Sequence, residues 1–144
     1  MLVGVAACIG PELIAVLHRM GHGDEIVLAD AFFPGESTNA RVIRADGVHM
    51  TDLLDGVLRL INLDTYADAF FMMAPVVGDT ADPNVEASYR SVAERHWPTP
   101  PTTLLDRYAF YDRARSAFAV VMTGETVKYG NLILKKGVVP VEPL

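Results

Sequence analysis

"PELIAVLHRMGHGDEIVLAD", residues 11–30, reads as a helix, a turn and a strand in one unbroken run. Pro11 suits the first helical position and Gly21 a position just past the end. Leu13, Val16, Leu17 and Met20 recur at helical spacing, so one face of this helix is apolar. Residues 26–29 form a short apolar run, the kind a sheet buries on both sides, and the run closes on Asp30. The same alternation continues downstream. Strands are predicted over 41–45, 69–74, 102–105, 118–123 and 132–134, and helices over 51–61, about 82–96 and 107–116. At the start of the helix over about 82–96, Asp82 precedes Pro83, an N-cap followed by the residue preferred at the first helical position. "FPGESTN", "PVVGDTADP" and "WPTPP" read as loops, and residues 137–144 as an extended tail. Strands alternating with helices imply an α/β fold in three layers, α/β/α, with a mostly parallel mixed sheet in a single domain. The closing part, 118–134, is the candidate for an antiparallel pair.

Composition narrows the function classes. The chain has 144 residues, 51% hydrophobic and 21% charged, which suits one globular core. Its net charge is -6 and its pI about 5.1, and no basic cluster exceeds Lys135-Lys136, so nucleic acid is not an expected partner. Cys8 is the only cysteine, which fits a reducing cytoplasm. "VAAC" resembles a lipoprotein cleavage box, but the basic segment and the length of apolar chain that a signal needs are missing. No apolar run is long enough to span a bilayer, and no membrane partner is expected.

Phosphate loops of the GxGxxG and GxxxxGK[ST] types are absent, as is a GxSxG serine elbow. Proton transfer on a small polar ligand remains. In open α/β sheets ligands bind beyond the carboxyl ends of the strands, where Asp30, Asp79 and Arg107 would fall. Asp30 could hold sugar hydroxyls or cap the loop that follows it. His22 has three readings. It could sit as a cation at a helix end, ligate a metal with His18, or act as a general acid/base, since imidazoles as a class give and take protons at neutral pH. Gly21 weakens the metal reading, because it ends the helix between the two rings. Arg107, Tyr111 and Arg115 share one side of a helix by i, i+4 spacing. "KYGN", 128–131, is a turn in which Gly130 and Asn131 suit positive φ. There Tyr129 could pack on a sugar face and Asn131 could bind hydroxyls. Phe70, Phe71, Met72 and Met73 read as core.

Several stretches carry a family resemblance in order and spacing: "MGHGDEIVLADAFFP", "VIRADG", "LDTYAD", "GDTADP", "RYAFYDRARSAFAVVMTGE" and "KYGNLILKKG". Together they are similar to the family formed by the L-fucose mutarotases and the D-ribose pyranases. The resemblance implies an enzyme without metal or organic cofactor that interconverts the anomers of a free monosaccharide. It puts the proton donor at His22 and a sugar ligand at Asp30. It also carries Arg107, Tyr111, Tyr129, Gly130 and Asn131 over as site residues, and Asp64 as one used by some members. It implies a homo-oligomer, in bacteria commonly a decamer, with the site at a subunit boundary. Arg107 and the "YGN" wording favour the fucose branch. D-ribose pyranase activity, or sugar binding without catalysis, is the alternative. Phe32 stands where relatives often carry a polar residue, and Gly10 where they carry a serine cap.

Overall fold

The computed structural model describes residues 1–140, so residues 141–144 of the expected tail lie outside the described residues. In chain order the elements are α1 (Pro11–Arg19), β1 (Glu25–Ala29), α2 (Gly35–Thr38), β2 (Val42–Ala45) and α3 (Met50–Leu58). They continue as β3 (Phe70–Met73), α4 (Pro83–Glu94), β4 (Thr103–Leu105), α5 (Arg107–Ser116), β5 (Ala119–Thr123) and β6 (Leu132–Lys135).

Helix ends follow from local chemistry. The Asp82 carboxylate accepts from the Asn84 N–H at 2.9 Å and starts α4, and Asp106 accepts from the Ala109 N–H at 2.9 Å and starts α5. α1 begins at Pro11 behind Gly10, which makes no side-chain cap. Its carboxyl end is held from far along the chain. Lys136 Nζ donates to the carbonyls of Leu17 at 2.9 Å and Met20 at 2.6 Å. A cation on the negative end of a helix is favourable, and here Lys136 takes the place one reading gave to His22.

The sheet order is β2-β5-β1-β6-β3-β4. β5 runs parallel to β1 and β2, β4 runs parallel to β3, and β6 is antiparallel to both its neighbours. The sheet is thus mixed and mostly parallel. The expected antiparallel closing pair needs correction. β5 is parallel, because α5 carries the chain across the sheet before it, and β1 separates it from β6. Only the helix-free connection after β5 reverses the chain. "FPGESTN" also differs from the expected loop. It holds the single turn α2, with Ser37 and Thr38 hydroxyls donating to the Pro34 carbonyl.

Alternate residues of each strand feed opposite layers. Ile26, Leu28, Phe70, Met72, Val121 and Leu134 join the apolar faces of α1, α3 and α4. Val27, Ala29, Phe71, Met73, Val120 and Ile133 join Phe110 and Ala114 of α5 and Phe33 beside α2. Each large side chain so buried contributes about 1.5–3 kcal/mol. Three layers result, and the sheet's carboxyl edge is left between the two helical faces.

Candidate functional site

Parallel strands bring their carboxyl ends to one edge. Because β6 is reversed, the segment that enters it, "KYGN", lies at that same edge. A cavity of about 320 Å³ opens there, lined by five of the expected residues, Asp30, Arg107, Tyr111, Tyr129 and Asn131.

Asp30 leaves β1 only 7% exposed, and Asn131 is 5% exposed. The two are joined twice. The Asp30 N–H donates to Asn131 Oδ1 at 2.7 Å, and Asn131 Nδ2 donates to Asp30 Oδ2 at 2.9 Å. The other carboxylate oxygen accepts from the Phe32 N–H at 2.9 Å. Burial raises the Asp30 pKa above its ordinary value, against the lowering effect of these hydrogen bonds. A carboxyl group that ionises less readily than usual, at the floor of a cavity, can exchange protons with a ligand. Tyr111 stacks on Phe33 with ring centroids 5.3 Å apart, and the Arg107 guanidinium stands 5.7 Å from the Tyr111 ring. Arg115, expected on the same side, pairs instead with Asp112.

The "KYGN" turn works differently from expectation. Positive φ falls on Tyr129, at 57°, and neither Gly130 nor Asn131 adopts it. Gly130 is required for space: a Cβ there would stand 2.8 Å from Val127 Cγ1 and 3.0 Å from the Val127 carbonyl oxygen. Its own carbonyl accepts from the buried Tyr89 hydroxyl at 2.9 Å, which ties the turn to α4. The Tyr129 hydroxyl donates to Asp79 Oδ2 at 2.9 Å and accepts from the Val76 N–H at 3.2 Å. It is the ring of Tyr129 that faces the cavity.

Sequence reasoning missed part of the lining. Phe33, Met73 and Val76 form apolar wall, and Thr126, Val127 and Lys128 complete the side nearest β6. Met73 was legible only as core. Lys128 carried a signal, since it opens the same motif as Tyr129. Phe32 lies at the rim, 76% exposed, where its side chain offers an apolar edge.

His22 and Asp64 lie elsewhere. His22 precedes β1 and Asp30 follows it, so the strand holds them apart by more than about 16 Å at ~3.3 Å per residue. His22 Nε2 lies 3.1 Å from Asp64 Oδ1, and the His22 ring centroid is 5.6 Å from that of Tyr66. The His22 side chain is 47% exposed and that of Asp64 only 4%. Burial would raise the Asp64 pKa, but the Tyr66 N–H and His22 hold it below its ordinary value. Gly23, at φ 84°, makes the turn that presents His22, and its N–H donates to the Lys136 carbonyl at 2.8 Å. α1 ends at Arg19, so His18 and His22 share no helical face. Among the described residues no group of three His, Cys, Asp or Glu side chains is placed to hold a metal ion. Burial pushes the Cys8 thiol up, away from nucleophilic thiolate chemistry. No helix among the described residues is long and apolar enough to cross a membrane.

Comparison with known proteins bears on the fold and the family. A model of the RbsD / FucU transport protein family matches residues 4–139. The chain is similar to a fucose mutarotase from Streptococcus pneumoniae solved in complex with L-fucose. Identity there is 46%, the TM-score 0.90, and the match covers 96% of this chain and 99% of that one. FucU from Bifidobacterium longum is 40% identical with a TM-score of 0.84, over 94% of this chain and 99% of that one. Bacillus subtilis RbsD, solved with D-ribose, shares the fold at 21% identity and a TM-score of 0.72, over 91% and 95% of the two chains.

Proposed function

The chain belongs to the RbsD / FucU transport protein family, and on that premise we propose that it interconverts the α and β anomers of free L-fucose. The cavity carries this reading. Asp30, Arg107, Tyr111, Tyr129 and Asn131 converge on a space suited to one monosaccharide, in a chain 46% identical to a fucose mutarotase. Mutarotation opens the hemiacetal ring, turns the aldehyde and recloses the ring. One proton leaves the anomeric hydroxyl as another reaches the ring oxygen, and closure reverses both transfers. His22 supplies the principal proton. Tyr111 or Asp30 serves the other end, and the raised pKa of Asp30 favours the carboxyl group. Arg107 and Asn131 hold hydroxyls, the Tyr129 ring covers a sugar face, and Gly130 lets the turn close.

His22 and the cavity stand at opposite ends of β1, so His22 is proposed to act in the cavity of another copy. Asp64 is then a positioning residue behind His22 rather than a direct sugar ligand, being buried against Nε2. A homo-oligomer follows from this division, and a decamer is the assembly proposed, in the cytoplasm. Saturation-transfer NMR on L-fucose tests the activity. The wild-type chain should speed anomer exchange and His22→Asn should not. D-ribose pyranase activity would appear as faster exchange on ribose than on fucose. A sugar-binding protein without catalysis would bind L-fucose and leave its exchange rate unchanged.

A further inference from the structure

Two cationic side chains line the cavity, Arg107 and Lys128, yet they differ in what they face. Lys128 Nζ lies 3.0 and 2.8 Å from the two carboxylate oxygens of Asp79. Asp79 is not part of the cavity wall. It follows β3 in a tight turn in which its N–H donates to the Val76 carbonyl at 3.0 Å, with Gly78 at φ 88°. The same carboxylate accepts from the Tyr129 hydroxyl at 2.9 Å and from the Thr80 N–H at 2.8 Å. One aspartate therefore joins the loop after β3 to the loop before β6, and it takes up both the Lys128 charge and the Tyr129 hydroxyl. An exposed ion pair alone holds little. Here a phenol hydroxyl and a backbone N–H converge on the same carboxylate, which fixes its position for the ammonium. Burial plays no part in keeping it ionised; hydrogen bonds, Lys128 first, hold its pKa down to about 2. The latch is therefore set at any ordinary pH.

We propose that Asp79 is a specificity-determining residue that keeps the pocket selective for a neutral sugar over a phosphorylated one, by neutralising Lys128 and fixing Tyr129. This rests on the free-monosaccharide reading given above. With Lys128 held on Asp79, Arg107 is the one cation of the cavity wall without a carboxylate partner among the described contacts, a single charge suited to hydroxyls. Release of Lys128 would give the wall a second cation, and two cations make an anion site.

The experiment compares wild type, Asp79→Asn, Asp79→Ala and the double variant Asp79→Ala/Lys128→Met. Inorganic phosphate is the probe, with binding read by titration calorimetry, and L-fucose exchange is measured by NMR on the same samples. Asp79→Ala should bind phosphate about tenfold more tightly than wild type, the scale of one charge-assisted contact. It should also raise KM for L-fucose more than it lowers kcat, because the Tyr129 ring loses its anchor. The double variant should lose the phosphate gain and keep the raised KM. Asp79→Asn keeps the shape and an acceptor for Tyr129, so it should gain phosphate affinity with a smaller change in KM. Phosphate binding by the Asp79 variants no tighter than wild type would overturn the proposal, as would a gain that survives Lys128→Met. Absence of exchange in wild type would instead refute the mutarotase reading, and the phosphate titration would still decide the role of Asp79.

Discussion

Two inactive variants should restore each other when assembled together. His22→Asn removes the proposed proton donor and Arg107→Ala the sugar contact, and neither side chain is buried, so both chains should fold. Loss of a positioned acid/base costs about 10²–10⁴ in rate, and loss of a charged hydrogen bond costs about 1.5–3 kcal/mol, or roughly 10–150-fold. Each variant alone should thus retain at most about a tenth of wild-type activity. If every cavity takes His22 from one neighbour, a randomly mixed assembly of equal parts has about one cavity in four with both groups intact, from the product of two even chances in a symmetric closed ring. Co-expression with two different tags and tandem purification isolates the mixed assemblies, and saturation-transfer NMR measures exchange per cavity. Recovery to about a quarter of wild type is expected. Mixed assemblies no more active than the mean of the two single variants would refute the division of the site, and so would an isolated monomer with full activity.

Tyr89→Phe strands the buried Gly130 carbonyl, so it should lower stability by about 1–3 kcal/mol in urea unfolding and raise KM for the sugar through the loosened turn. An unchanged urea midpoint would show that the bond contributes nothing. Gly130→Ala forces a methyl against the Val127 carbonyl, which as backbone has little freedom to move, and should cost about 1–3 kcal/mol by the same measurement. Asp64 bears on pH. Its folded pKa lies below its ordinary value of about 3.9, so its contribution to stability is present above that pH and lost as pH falls through the folded value. Asp64→Asn should therefore lose stability at pH 7 and show a smaller further loss on acidification than wild type. Parallel urea midpoints for the two proteins from pH 7 to pH 3 would contradict the argument.

The parts of the fold that the sequence displayed were those written in periodicity and caps. α4 was legible at its start because Asp82 and Pro83 are local signals. The direction of β5 was not, since a strand's apolar run is the same whichever way its neighbours point, and the outcome depended on where α5 delivers the chain. The site divided similarly. Asp30 and Arg107 stand at element ends that topology sends to one edge, so alternation suggested them, and Tyr111 came with Arg107 by helical spacing. Tyr129 and Asn131 needed the reversal of β6 to reach that edge. His22 is the instructive case. Its three readings stayed open in the sequence, because which partner it meets depends on Asp64, forty-two residues later, and on the extended strand that separates it from Asp30. Asp79 was noted as a strand-end carboxylate, though its partners lie on a loop almost fifty residues later and leave no local trace.

The order of strands across the sheet also bears on how the chain is made. β1, β2 and β3 come first from the ribosome, yet no two of them are neighbours. β5 enters between β2 and β1, and β6 between β1 and β3, with Glu25 meeting Lys135 across most of the polypeptide. Until those last strands emerge, the edges of β1 and β3 are open and their apolar residues lack their final cover, a condition that invites wrong pairing and aggregation. Closure of so many distant contacts at once is slow. A stop codon placed before Leu132 should therefore leave separate half-sheets instead of a smaller version of the same protein.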